Sequence, residues 1–204
     1  MTSQPIRSIS FDTSFLLRDD QRVDAIIKSL AHYNTPCFIT ATVLSELEQL
    51  KIWGRITLQT YNTAMKRVRT SKATVIDFKN RLLADSIGAA CVKAMEEHLN
   101  ANTEHVINDC HIMVTTLKNG VNFFLSEDYH FTSPLTPDVV TDITNQACSE
   151  FRQLCTTDLY SLNSATFLQI YHDGTVDLEK INKTRKLKKR LHPDPTNGEG
   201  GSGA

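Results

Sequence analysis

The sequence contains no apolar run that approaches the ~20 residues needed to span a bilayer. Its opening residues, Met1-Thr2-Ser3-Gln4-Pro5, lack the basic and apolar regions of a secretory signal. Both absences lead to the expectation of a cytoplasmic protein. There is no internal repeat, and no Cys-x-x-Cys pair among the five cysteines Cys37, Cys91, Cys110, Cys148 and Cys155. An odd number at such wide spacings indicates neither a disulfide framework nor a zinc site, so all five are expected as small buried apolar side chains. Nor is there an excess of one charge. Lys and Arg number 22 against 23 Asp and Glu, a net charge of −1 that by itself points to no nucleic-acid or membrane partner.

What is present is the composition of a packed domain. At 204 residues, 40% of them hydrophobic and 22% charged, the chain is long enough for one real core and too apolar to be disordered. Its charge is unevenly placed. Residues 179–191 hold seven cations (Lys180, Lys183, Arg185, Lys186, Lys188, Lys189 and Arg190) against one acid, so an acidic body carries a basic segment.

Periodicity supplies the organisation. Residues 6–11, 37–39, 73–78 and 121–125 are short apolar runs that read as buried strands. Between them lie helical stripes, such as Val23, Ile26, Ile27 and Leu30 or Val43, Leu44, Leu47 and Leu50, followed by helices over residues 55–70, 81–99 and from about Thr103 or Asn108 to Lys118. Asn119-Gly120 ends the last of these. Short strands alternating with helices predict an α/β fold, a three-layer α/β/α sandwich with a central parallel sheet of four to five strands. Beyond Phe131 the pattern is weaker: a loop at residues 133–137, a strand beginning at Val139-Val140 and a helix over residues 147–155. Residues 180–191 read as an exposed basic helix stopped by Pro193 and Pro195, with a flexible tail from Thr196. The expected organisation is one packed α/β domain over residues 1–155, an extension of unassigned structure over 156–178, and a basic segment with its tail over 179–204.

In a parallel sheet, ligands bind outside the carboxyl ends of the strands. Asp12 and Asp128 directly follow the first and fourth predicted strands. Each also has an ordinary local use, as a helix cap or a turn residue. Asp109 falls at the border of the apolar stripe Val106, Cys110, Met113, Val114 and Leu117, where an ionised carboxylate needs a partner. A helical wheel does not separate Glu46 from Glu48, which flank their stripe at similar angles. Carboxylates brought to one cleft repel unless a divalent cation lies between them, and oxygen ligands select Mg²⁺ or Mn²⁺. Such a centre suits phosphodiester hydrolysis.

The order and context of these acids resemble the PIN-domain family of ribonucleases, most closely the toxin type of prokaryotic toxin–antitoxin pairs. Four segments carry the likeness: Ser10-Phe11-Asp12-Thr13-Ser14, Thr42-Val43-Leu44-Ser45-Glu46-Leu47, Asn108-Asp109-Cys110, in which the Asp opens a helix, and Leu125-Ser126-Glu127-Asp128-Tyr129-His130-Phe131. The resemblance implies that Asp12, Glu46, Asp109 and Asp128 bind the metal and are catalytic, with Thr13 and Ser126 as hydrogen-bond partners behind them. It further implies a Mg²⁺- or Mn²⁺-dependent endoribonuclease of single-stranded RNA, a protein antitoxin and a homodimer. The alternative is the same fold without catalysis, serving as an RNA-binding or protein-docking module. Cys110-His111 departs from the small or aliphatic residues expected after Asp109, and His111 and His130 are expected in packing or surface roles. The seven cations of residues 180–190 are the expected contact for the phosphate backbone, and Lys66, Arg67, Arg69 and Lys72 form a second basic candidate.

Overall fold

Apolar runs without polar alternation form strands buried on both faces, as residues 9–11 and 123–125 are throughout. The computed structural model describes residues 3–150 and 159–181. Its elements in chain order are β1 (Ser3–Pro5), β2 (Ile9–Phe11), α1 (Thr13–Leu17), α2 (Gln21–His32), β3 (Cys37–Thr40), α3 (Ala41–Ile52), α4 (Leu58–Thr70), β4 (Thr74–Ile76), α5 (Arg81–Leu99) and α6 (Thr103–Lys118). There follow β5 (Phe123–Leu125), α7 (Tyr129–Thr132), α8 (Thr136–Glu150), β6 (Tyr160–Leu162), α9 (Ser164–Ile170), β7 (Tyr171–His172) and β8 (Thr175–Asp177). Among the described residues no helix is long and apolar enough to cross a membrane.

Five strands form one parallel sheet in the order β4-β3-β2-β5-β6. The chain moves outward from β2 to β3 and β4, then returns to the other side of β2 for β5 and β6. With right-handed crossovers, that reversal puts the helices leading to β3 and β4 on one face and those leading to β5 and β6 on the other. Accordingly α2 packs with α4 and α9, while α5 packs with α6 and α8. The α/β/α sandwich expected from the sequence is the observed architecture.

The register between β2 and β5 pairs Ile9 with Phe123 and Phe11 with Leu125. One residue on, the Asp12 amide donates to the Leu125 carbonyl at 2.9 Å and the Ser126 amide to the Leu162 carbonyl at 3.1 Å. The ladder thus continues past the strands and sets Asp12 beside Ser126. Phe11, Phe15, Phe124 and Phe131 are fully buried beneath this rim, with Phe11 stacked on Phe15 and Phe124 edge-on to Phe131.

Several expectations are corrected. Val139-Val140 starts no strand: both belong to α8, whose buried residues Val139, Val140 and Ile143 follow helical spacing, and Pro137 falls in the first turn, where its missing N–H is harmless. Helix is described as far as Glu150, and the rest of the 147–155 expectation lies outside the described residues. Cys91 and Cys110 are joined as a disulfide between α5 and α6, which lie side by side with these Cα atoms 5.5 Å apart, a proximity no cysteine spacing foretells. Cys37 is free and buried, and burial pushes its thiol up to about 12.

The extension of unassigned structure is ordered between residues 159 and 178. β6 completes the sheet, and β7 and β8 form a hairpin to which β1 adds antiparallel. The hairpin loop is Asp173-Gly174, both at positive φ, the conformation that makes this dipeptide suited to a two-residue turn. A side chain at 174 would also meet the Tyr33 ring, 3.1 Å from the position of its Cβ.

Arg67, expected as part of a basic surface patch, is buried. Its Nη1 donates to the carbonyls of Leu16 and Arg18, each at 2.7 Å, and its Nε to Asp24 Oδ1 at 2.8 Å. One planar guanidinium thereby ties α4 to the corner between α1 and α2, directly after the segment that carries Asp12. Arg67→Ala is expected to lower the unfolding free energy by about 2–4 kcal/mol in urea titrations, and Arg67→Lys to recover less than half of that, because one ammonium does not reproduce the fork. A loss below about 0.5 kcal/mol for Arg67→Ala would show that the corner does not depend on these bonds.

Candidate metal centre

The site grows from the carboxyl ends of β2 and β5, where the strand order reverses. Asp12 is nearly buried there and caps α1. Its Oδ2 accepts hydrogen bonds from Ser14 N at 3.3 Å, Ser14 Oγ at 2.5 Å and Ser126 Oγ at 2.8 Å. The two hydroxyl oxygens accept in turn: Glu127 N donates to Ser14 Oγ at 2.9 Å and Asp128 N to Ser126 Oγ at 3.0 Å. Each serine has one hydroxyl proton, and in this arrangement both go to Asp12.

The remaining acids gather around it. Glu46, on α3, accepts from Thr13 Oγ1 at 2.5 Å, and its charge raises the pKa of Asp12. Glu48 turns elsewhere, to Lys51 and to the Tyr61 hydroxyl at 2.7 Å, which resolves the tie left by the helical wheel. Asp109 lies nearly two turns into α6 and does not open it as the motif implied, because the helix begins at Thr103. Asp128 caps α7 through Oδ1, which accepts from His130 N at 2.8 Å. His130 then reaches back: its Nδ1 is 3.0 Å from Asp109 Oδ2 and 3.3 Å from Asp128 Oδ1. Donor atoms of Asp109, Asp128 and His130 all lie within 4.8 Å of one another.

Burial above all pushes the Asp12 carboxyl up to about 6, against the hydrogen bonds from Ser14 and Ser126 and with the Glu46 charge adding to the rise. Asp109 is pushed up to about 7, first by burial and then by the charges of Asp12 and Asp128, with His130 opposing. Contacts link the four acids: Ser126 donates to Asp12 and accepts the Asp128 amide, Thr13 beside Asp12 donates to Glu46, and His130 joins Asp109 to Asp128. Thr13 and Ser126 each hold one of these carboxylates. The donor set, several carboxylate oxygens and one imidazole among mutually repelling acids, fits a divalent cation.

Sequence reasoning missed His130 and Ser14. The signal for both was capping geometry. A residue two beyond an N-cap aspartate stands on the first helical turn with its amide on the cap, which is where Ser14 and His130 stand relative to Asp12 and Asp128. Glu127 lies outside the cluster, accepting from Arg18 Nη1 at 2.9 Å and from Ser164 N at 3.0 Å. His111 lines a groove of about 510 Å³ with Asp85, Lys93 and Glu96, away from the centre. Of the basic segment only Lys180 is described, with its Nζ 4.0 Å from Asp177 Oδ2; Lys183, Arg185, Lys186, Lys188, Lys189 and Arg190 lie outside the described residues.

A family model described as a PIN domain matches residues 9–130, a span that takes in every acid of the cluster and His130. No curated protein and no solved structure matches the chain.

The raised carboxyls fix a direction for the pH dependence of stability. Each binds more protons folded than unfolded between its ordinary value of 3.8 and its folded one, so their contribution to the unfolding free energy falls as pH rises from about 4 to 7 and then levels. In EDTA at pH 8, Asp109→Asn is expected to melt above wild type by roughly 4–8 °C, about 2 kcal/mol, and the difference should vanish near pH 4. Asp12→Asn carries no such gain, since three donors share the oxygen it disturbs. An Asp109→Asn protein that melts at or below wild type at pH 8 would show that the acids do not repel one another.

Proposed function

The chain belongs to the PIN-domain family, and on that premise we propose that it is a metal-dependent endoribonuclease that hydrolyses phosphodiester bonds of single-stranded RNA. PIN domains are generally nucleases that use divalent metal ions, and this chain has the side chains the chemistry needs. The observation that supports the reading is the grouping of Asp109, Asp128 and His130 within 4.8 Å, beside Asp12, whose charge together with that of Asp128 raises Asp109 after burial.

A divalent cation held there supplies positive charge that acidifies an attacking water and offsets the charge developing on the phosphate oxygens. Asp12, Asp109 and Asp128 would hold it, with Glu46 beside them. Ser14 and Ser126 fix the Asp12 carboxylate by donating to its Oδ2. Thr13 does the same for Glu46. These hydroxyls spend no charge of their own, so they orient carboxylates without weakening the attraction for a cation. The Phe124–Phe131 pair beneath keeps the floor of the site dry.

The acids alone repel an RNA backbone, and the basic segment is the natural counterweight. Toxin activity, a protein antitoxin and a homodimer rest on the likeness to toxin-type members.

Two measurements test the reading. Wild-type protein should cut single-stranded RNA with Mn²⁺ or Mg²⁺ and not in EDTA, while Asp12→Asn and Asp109→Asn should lose at least a hundredfold in kcat/KM. Unchanged activity in either variant would overturn the assignment, and tight RNA binding without turnover in Mn²⁺ would favour the docking module. For the basic segment, truncation after Ile181 keeps that buried residue and removes six of the seven cations. RNA affinity should drop and its dependence on salt should flatten by ~0.7 in logarithmic slope for each phosphate that is no longer neutralised; an unchanged slope removes the segment from the interface.

A further inference from the structure

His130 is the single nitrogen donor that the structure brings among the clustered acids, within the described residues. Its position is built in from both sides. The backbone amide donates to Asp128 Oδ1 at 2.8 Å, and the carbonyl accepts from Thr136 Oγ1 at 2.9 Å. The next residue, Phe131, is fully buried against Phe124. The ring is therefore carried on a fixed turn and not on a free loop.

Its distances have two readings. Nδ1 is hydrogen-bonded to Asp109 Oδ2 at 3.0 Å and lies 3.3 Å from Asp128 Oδ1, within ion-pair distance. The same separations are those of neighbouring ligands on an octahedron, whose edge is about 3.0 Å for bonds of ~2.1 Å. An imidazole and two carboxylates, all within 4.8 Å of one another, are close enough to share one cation.

The chemistry of that donor set differs from that of an all-oxygen one. Carboxylates and water suit Mg²⁺ and Mn²⁺ alike, whereas an imidazole nitrogen favours first-row transition ions, and Mg²⁺ gives up its water reluctantly. Resting on the reading of this cluster as a cation site, we propose that His130 is a nitrogen ligand through Nδ1, and that it makes the site select Mn²⁺ over Mg²⁺. Ligation uses the Nδ1 lone pair, with the ring proton on Nε2. His130 then belongs with Asp109 and Asp128 in the coordination shell, and Asp128 has two jobs, as ligand and as the cap that aims the ring.

The test is spectroscopic. Pulsed electron paramagnetic resonance of the Mn²⁺-loaded full chain should show nitrogen modulation from a coordinated imidazole, and His130→Gln should abolish it. Competition titrations should show the preference for Mn²⁺ over Mg²⁺ falling at least tenfold in His130→Gln and His130→Asn, with melting curves recorded for each variant. Wild-type protein that binds Mn²⁺ without nitrogen modulation overturns the inference and leaves the carboxylate site standing. So does an unchanged Mn²⁺ to Mg²⁺ ratio in variants that melt like wild type. Wild-type protein that binds no Mn²⁺ at millimolar concentration overturns the site itself, and the inference with it.

Discussion

Two serine hydroxyls hold a carboxylate where burial and its neighbours oppose its charge, and the geometry of the site follows from that. Ser14 comes from the turn after β2 and Ser126 from the turn after β5, yet both donate to the same oxygen of Asp12. They meet because the two strands are paired in parallel, in register, up to their last residues. A slip of one residue would reverse every side chain on β5 and separate the serines. The strands are short, three residues each, so the buried phenylalanines around them have to fix the register.

The same arrangement makes the protein less stable than it could be. Acids that repel one another in a low-dielectric pocket weaken the fold above neutral pH, and natural chains retain such strain where it serves a ligand. Here the strain is local. Asp109 approaches from α6 and Glu46 from α3, helices anchored elsewhere by apolar stripes that do not involve the site. Asp12 and Asp128 each cap a short helix, so the charges that repel are also tied to backbone amides. His130, hydrogen-bonded to Asp109, opposes the rise in that carboxyl's pKa.

How much of this was legible in the sequence differs from element to element. The clean stripe of α2 lies where periodicity places it, α5 spans the residues expected of it, and the parallel sheet follows from apolar runs alternating with helices. Asp12 and Asp128 were visible because a residue at the carboxyl end of a strand has a defined place in such a sheet. Glu46 was not separable from Glu48 on the wheel, because the choice depends on Thr13 on one side and Tyr61 on the other, contacts made across 33 and 13 residues. The bond from His130 to Asp109 and the Cys91–Cys110 bridge were invisible for the same reason: each depends on α6 meeting another element in space. The Asp173-Gly174 hairpin is different, since that dipeptide between short strand-forming runs is a local signal, one that apolar periodicity alone passes over.

Residues 160–164, ahead of that hairpin, bear directly on the site. β6 lies alongside β5, and the Leu162 carbonyl accepts the Ser126 amide, so the chain beyond the family match supports the residue that orients Asp12. Glu127, flanked by Ser126 and Asp128, spans from Arg18 to the amide of Ser164 at the start of α9. Arg18 is in turn placed by its carbonyl's bond to buried Arg67. A path of direct bonds therefore runs from α4 through Arg18 and Glu127 to α9, passing behind the turn that carries Ser126, Asp128 and His130. Neither Arg67 nor Ser164 is an acid of the cluster, and both act on its geometry through the backbone they hold. The turn that carries the centre is thus held by Arg18, Glu127 and the Ser164 amide, while the clustered carboxylates themselves, left to their own repulsion, would spread apart.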